Sequence, residues 1–257
     1  MNATRFYTLI SDAGSDQFAV GKMKGLLYTA DPECRIIDIT HEVSPFNIVE
    51  AAHQLRSTYT YFPKGSTHII HVHTYYDDPA EWIAFSFDDY YFIGPNNGVF
   101  SLVFEGLNVP VYKIGETGTR ARWSGQVFAE AAGKVHEEEF WQELPLIDQF
   151  DRRIQLQPVV NQKEIRATVI HVDNYGNVVT NIDQSLFERV RNGRQFALYF
   201  KRYDPITYLS QHYGESEIGD TLCRFNSTGY LEIAMNLTPA ADSLGLKLND
   251  TIQIEFF

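Results

Sequence analysis

Phe6-Tyr7-Thr8-Leu9-Ile10-Ser11-Asp12-Ala13-Gly14 is an apolar run of strand character that stops at a short polar segment holding an acid. A helix-period pattern follows over residues 18–28, and Arg35-Ile36-Ile37-Asp38-Ile39 reads as the next strand. The next helix spans residues 48–61 and stops at Pro63, which cannot continue it. Further strands are expected over residues 68–72, 82–87 and 91–93. This alternation predicts an α/β domain over residues 1–150, with a covered, largely parallel sheet. Ligands of such sheets gather at the carboxyl ends of strands, where Asp12, Asp38, His41, His71 and His73 fall.

The pattern then changes. Residues 136–162 are acidic, carry Pro145 and Pro158 and have weak periodicity, as a wrapping segment or linker would; the linker itself is placed at 151–162. β-rich runs follow over residues 165–172, 178–182, 196–200, 222–225, 230–235 and 251–256. Only short helical pieces near 185–191 and 240–244 interrupt them, which predicts a smaller all-β, barrel-like domain over 163–257.

The chain has 257 residues, enough for one large or two modest domains, and a net charge of −12. That charge argues against nucleic acid and against an anionic membrane surface as partners. No early basic region precedes an apolar run, so no signal peptide is expected, and no apolar stretch is long enough to suggest a membrane span. Cys34 and Cys223 lie far apart without metal-ligand spacing, so free buried thiols in a reducing cytoplasm, and no metal or cofactor, are expected. The 15 Tyr and 18 Phe fit either extensive aromatic packing or a broad subunit interface.

A second informative stretch is Asp173-Asn174-Tyr175-Gly176-Asn177, followed by Val178-Val179-Thr180-Asn181-Ile182. A turn between strands needs only Asn-Gly or Asp-Gly chemistry. This one adds a carboxylate, an aromatic and two carboxamides, a set able to grip a charged, planar, hydroxyl-rich ligand.

Four blocks together resemble the S-adenosylmethionine hydrolase, fluorinase and chlorinase family, the SAM hydroxide adenosyltransferases. They are Ser11-Asp12-Ala13-Gly14 with Gly21-Lys22-Met23-Lys24-Gly25; Asp38-Ile39-Thr40-His41-Glu42-Val43-Ser44-Pro45-Phe46; Pro95-Asn96-Asn97-Gly98; and the 173–182 block with Asn226-Ser227-Thr228-Gly229-Tyr230. The resemblance implies S-adenosylmethionine or adenosine as ligand. It also implies a homotrimer in which each ligand lies between the first domain of one subunit and the second domain of its neighbour. By the same resemblance Asp12 accepts the ribose hydroxyls, Phe46 closes over sugar and sulfur, and Asn97 with Gly98 borders the ribose. Asp173 receives the ammonium, Asn177 reads the adenine edge, Tyr175 and Tyr208 are candidates to stack on the ring, and Ser227 binds the carboxylate. Competing structural readings are a helix cap for Asp12 and ordinary β packing for Tyr208.

Hydrolases of the family carry a catalytic Asp in a Val-Asp-Pro-Gly-Val-Gly segment, an Arg seven positions later, and a His in a Phe-His-Gly-Arg-Asp segment. Aligned here, the Asp becomes His73, the Arg becomes Ala80 and the His becomes Ser124. Ser124 falls at or beside the family's halide-binding Ser, and Asn96-Asn97 resembles the halogenase form of its loop. Against halide, the region holds Asp77 and Asp78, whereas a neutral histidine is a competent base for water. His73, with Ser124 across the pocket, is therefore the catalytic candidate and water the expected nucleophile. Thr228 and Met235 stand where a halogenase-like pattern has Arg, which bears on affinity or ligand identity. The expected activity is hydrolysis of S-adenosylmethionine to adenosine and methionine; the alternatives are a non-catalytic binder of that ligand or adenosine, and a halide-dependent adenosyltransferase.

Overall fold

The computed structural model describes residues 4–104, 106–118, 123–153, 157–201 and 204–257. Residues 154–156 of the expected linker lie outside the described residues. The chain divides into two compact units, Met1–Ile154 and Gln155–Phe257.

The first unit runs β1 (Phe6–Ser11), α1 (Phe18–Ala30), β2 (Arg35–Thr40), α2 (Ile48–Thr58), β3 (Thr67–His71), β4 (Glu81–Phe87), β5 (Tyr90–Pro95), α3 (Val99–Val103), β6 (Tyr112–Glu116), α4 (Ser124–Lys134) and α5 (Glu138–Glu143). Its sheet has the order β2-β1-β3-β5-β4-β6. Alternating side chains feed opposite faces: Leu9 and Ile69 pack with Met23, Leu27 and Phe128, while Ile10 and Ile70 pack with Ala51, Leu55 and Phe100. Helices thus cover both faces, as the near-continuous apolar strands require.

The expected parallel pairing holds for three of the five strand pairs, and the sheet is mixed. β1 pairs in parallel with β2 and β3, and β3 with β5, but β4 is antiparallel to both β5 and β6. The cause is local. Only Asp88 and Asp89 separate β4 from β5, both with left-handed φ of 50° and 61°, and a two-residue turn can join only antiparallel neighbours. The acidic segment after α5 wraps the sheet edge: Lys113 N–H donates to Pro145 O, and Ile147 N–H to Val111 O.

The second unit runs β7 (Val159–Val160), β8 (Glu164–Val172), β9 (Val178–Asp183), α6 (Gln184–Arg191), β10 (Phe196–Tyr199), β11 (Thr221–Phe225), β12 (Tyr230–Met235), α7 (Ala240–Leu244) and β13 (Thr251–Phe256). The antiparallel path is β10-β13-β8-β9-β12-β11, with β7 on β8. Phe187 of α6 meets Phe196, Phe225 and Phe256 edge to face in the core. The expected barrel-like character holds in part: the antiparallel sheet curls into a half-barrel, and among the described residues β10 and β11 do not pair with each other. Its end strands β10 and β11 are capped instead by the chain between them, through bridges Leu198↔Ile206 and Leu209↔Cys223, which blunts the open edges.

Candidate functional site

In the first unit the candidate side chains sit where β1, β2 and β3 end. Asp12 follows β1, and its Oδ2 accepts hydrogen bonds from the main-chain N–H of Phe46 (3.0 Å) and of His73 (3.2 Å). Both donors have left-handed backbones, φ 66° and 49°, a conformation that non-glycine residues hold only when the surroundings impose it. One carboxylate oxygen therefore shapes two loops. Among the described residues its partner Oδ1 takes no hydrogen bond. The Phe46 ring is 67% exposed and meets the His73 ring edge-on at 5.3 Å. Asn97 is buried; its Nδ2 donates to the carbonyls of Val72 and His73, and its Oδ1 accepts from Val99 N–H. Its side chain thus builds the loop that carries His73. Next to it Gly98 has φ 90°, and a Cβ there would lie 2.2 Å from Arg153 Cγ.

Behind Asp12, Ser11 Oγ lies 2.7 Å from His41 Nδ1, and His41 Nε2 lies 3.1 Å from Asp38 Oδ1. Burial works against the Asp38 charge, but hydrogen bonds from Lys24 and His41 hold its carboxyl below the usual range. This chain fixes the loop after β2 against the end of β1.

Ser124 begins α4 and is fully buried. The structure joins it to His71: Ser124 Oγ is 2.8 Å from His71 Nε2 and 3.3 Å from Thr74 Oγ1, while its N–H donates to Tyr75 OH at 3.2 Å. His73 lies against Phe46 instead. The His71 ring is flanked by Trp123 and Phe128. Burial pushes its pKa down to about 4, against an opposing pull from the Asp12 charge, so the imidazole is neutral near pH 7.

In the second unit the 173–177 turn folds around its own acid. Asp173 Oδ1 accepts from the N–H groups of Tyr175 and Asn177, and Oδ2 accepts from Asn177 Nδ2 at 2.9 Å. Gly176 has φ 80°, and a Cβ there would lie 2.7 Å from Pro239. Asp173, Tyr175 and Asn177 line an open cleft of about 620 Å³, with Tyr213, Met235 and Leu237 among the other walls. Tyr175 and Leu237 are over four-fifths exposed at its rim. Tyr213 OH donates to Glu232, a buried acid in mid-strand whose pKa is raised by burial first, with Arg224 stacked over the Tyr213 ring. Tyr213 and Glu232 were not among the sequence candidates. The one signal for Glu232 was an acid inside an apolar strand, Tyr230-Leu231-Glu232-Ile233-Ala234.

Tyr208 and Ser227 do not line this cleft. Tyr208 is half exposed, with its carbonyl accepting from Cys223 Sγ. Ser227 is exposed in a turn organised by Asn226 Oδ1, which accepts from Thr228 and Tyr230 N–H.

Sequence models of the SAM hydroxide adenosyltransferase N-terminal and C-terminal domains match residues 7–144 and 167–253. A protein of Methanocaldococcus jannaschii named (R)-S-adenosyl-L-methionine hydrolase is 29% identical, over 96% of this chain and 94% of its own length. A fluorinase of an Actinoplanes species is 22% identical over 98% of both chains. The crystal structure of an uncharacterized conserved protein from Thermotoga maritima superposes with a TM-score of 0.79 at 27% identity, covering 98% of this chain and 99% of that one.

Proposed function

The chain belongs to the SAM hydroxide adenosyltransferase family, and on that premise we propose that it cleaves S-adenosylmethionine at C5′ with water, giving adenosine and methionine. The carrying observation is the Asp12 carboxylate, pinned through one oxygen and open at the other, at the strand ends where a ribose diol would be received. In this reading Phe46 covers sugar and sulfur, and Asn97 holds the ribose-side loop in shape. Asp173 takes the ammonium, Asn177 the adenine edge, Tyr175 and Tyr208 the ring face, and Ser227 the carboxylate.

Sulfonium is already a good leaving group. The protein's task is alignment and desolvation of nucleophile and carbon for in-line displacement. Water is favoured over halide because Asp77 and Asp78 stand exposed in the loop after β3 and oppose an anion. The two buried free thiols, Cys34 and Cys223, suit a cytoplasmic site of action. The homotrimer implied by the resemblance is checked by light scattering, where a stable monomer would remove it.

Incubation with S-adenosylmethionine, with and without chloride, tests the reaction. Adenosine and methionine in both arms are expected. A chloride-dependent 5′-chloro nucleoside would replace water by halide. Ligand bound but intact after long incubation would leave a binding protein, the reading that absence of the family's Asp-Arg-His set would then support.

A further inference from the structure

We propose that Asn96 is a positioning residue of the ribose side: its carboxamide clasps the segment 149–153 onto the 96–98 loop and so holds, through Asn97 and His73, the Asp12 carboxylate. This rests on the placement of a ribose at Asp12 and adds what keeps that acid in place. Asn96 follows the end of β5 and is 5% exposed. Its Oδ1 accepts from Asp151 N–H at 2.9 Å, and its Nδ2 donates to Gln149 O at 2.9 Å. A carboxamide serves both because it carries an acceptor and donors side by side. The partners also fix its orientation, since a turned amide would set oxygen against carbonyl and N–H against N–H. Glu81 Oε2 lies 3.4 Å from the same Nδ2. The Asn96 of the halogenase-like loop is thus engaged within the protein.

The clasped segment is tied at both ends. Before the clasp, Ile147 N–H donates to Val111 O, and Ile147 and Phe150 pack against the apolar core of Ile10, Ile70 and Phe100. After it, Arg153 N–H donates to Ser101 Oγ, which donates in turn to Gly98 O. The Arg153 stem lies directly on the loop, where a Cβ at Gly98 would meet its Cγ at 2.2 Å. Gly98 is therefore required twice, for φ 90° and for this approach. Arg153 Nε also donates to Asn97 O at 3.4 Å. The Arg153–Asp151 ion pair, at 3.6 Å with the guanidinium side more than half exposed, adds little.

From the clasp an unbroken run of hydrogen bonds leads to the candidate site. Asn97 follows Asn96 in the chain, and its Nδ2 donates to the carbonyls of Val72 and His73. His73 N–H donates to Asp12 Oδ2 at 3.2 Å. His73 keeps a left-handed φ of 49°, which its surroundings must impose. Without the Asn96 carboxamide the segment and the loop part, the His73 backbone relaxes, and Asp12 loses one of its two N–H donors. A freer carboxylate must then be ordered when a ligand binds, which lowers affinity.

The test compares wild type with Asn96→Ala, Asn96→Asp and Gln149→Ala, by adenosine calorimetry and by amide hydrogen exchange followed by NMR. Asn96→Ala should weaken adenosine binding about 10-fold, the worth of one or two net hydrogen bonds. It should also speed exchange at Asp151 and His73 while leaving Ile69 and Ile70 of β3 unchanged. Asn96→Asp keeps the acceptor for Asp151 N–H and loses the donor to Gln149 O, so it should fall between wild type and Asn96→Ala. Gln149→Ala keeps its carbonyl and changes only an exposed side chain, so it should bind adenosine as wild type does. Adenosine should in turn slow exchange at Asp151 in wild type, because coupling between two positions is reciprocal; that measurement requires no variant to fold. A wild type that binds no adenosine would sink the S-adenosylmethionine reading, and the clasp would then stand or fall on whether Asn96→Ala speeds exchange at His73. If adenosine binds, three results would each overturn the proposal: wild-type affinity in Asn96→Ala, faster exchange at Asp151 without any change at His73, or no protection of Asp151 by adenosine.

Discussion

In the proposed reading Asp12 takes the ribose and Asp173 the ammonium, and each acid also has structural work. Asp12 keeps one oxygen on the backbones of Phe46 and His73, so its substitutions separate two effects. Asp12→Asn retains an acceptor for those N–H groups and should weaken adenosine binding by ~1.5–3 kcal/mol, the loss of a charge-assisted bond to the diol. Asp12→Ala should weaken binding as much and in addition lower Tm, because two loop N–H groups lose their acceptor. Calorimetry and thermal melts on the pair check this; equal Tm in both variants would contradict it. Asp173 also folds its own turn through Oδ1, which Asn preserves, whereas the Asn177 Nδ2 bond to Oδ2 is kept only if the Asn177 amide turns over. Asp173→Asn should therefore penalise S-adenosylmethionine and methionine far more than adenosine, since only the amino acid carries an ammonium; equal weakening of both would show the methionine end misplaced. Both acids were legible in the sequence because each ends a strand-like run before a small polar turn. The His71–Ser124 pair was not, because it joins positions 53 residues apart and no local pattern reports which of two neighbouring histidines faces α4.

At the scale of elements, β1 to β5, α1, α2, β8 to β13, α6 and α7 followed from periodicity, whereas β6, β7 and α3 to α5 were not read from it, and the antiparallel place of β4 was not either. Residues 82–87 and 91–93 read as two apolar strands, and nothing apolar in them distinguishes parallel from antiparallel. The deciding signal is Asp88-Asp89, a polar pair held left-handed without the usual Asn-Gly and tied by Lys64 to Asp88. Curling without closure in the second unit was equally invisible, since it depends on how the β10–β11 connection caps each edge. The turn after β8 was the reverse case: its Gly176 was readable as a turn residue, and the structure adds why nothing else fits. Gly176→Ala must adopt φ 80° and place a methyl group against Pro239, so a loss of ~1–3 kcal/mol is expected, the range for strained backbone positions. Because Gly176 O also accepts from Ala241 N–H, methionine affinity should fall with it. Chemical denaturation and methionine titration check both, and an unchanged midpoint would show that the turn relaxes freely.

At the scale of the whole molecule, the two units carry buried titratable groups of opposite consequence. In the first unit His68 is fully buried among Tyr59, Tyr90 and Phe92, and burial pushes its pKa down to about 3. His71 is lowered in the same unit to about 4. The unfolded chain binds protons at these positions below about pH 6.5 while the folded chain does not, so stability is present above that pH and is lost as acid is added. For His68 alone the full shift is worth on the order of 5 kcal/mol, a large share of a domain's stability. In the second unit Glu232 has the opposite sign: its raised pKa makes the folded form the better proton binder, so its contribution is present in acid and fades as pH rises. Acid should therefore unfold the first unit ahead of the second. The sequence supplies the probe, because Trp82, Trp123 and Trp141 all belong to the first unit. On acid titration the far-ultraviolet signal should fall in two steps, the first together with the red shift of tryptophan emission and the second, from the sheet of the second unit, at lower pH. His68→Asn should move only the tryptophan transition toward lower pH, through the removed titration, even if it lowers stability near pH 7. A single transition at one pH for both signals, unchanged in its acid limb by His68→Asn, would mean that His68 does not set the acid response and that the units unfold together.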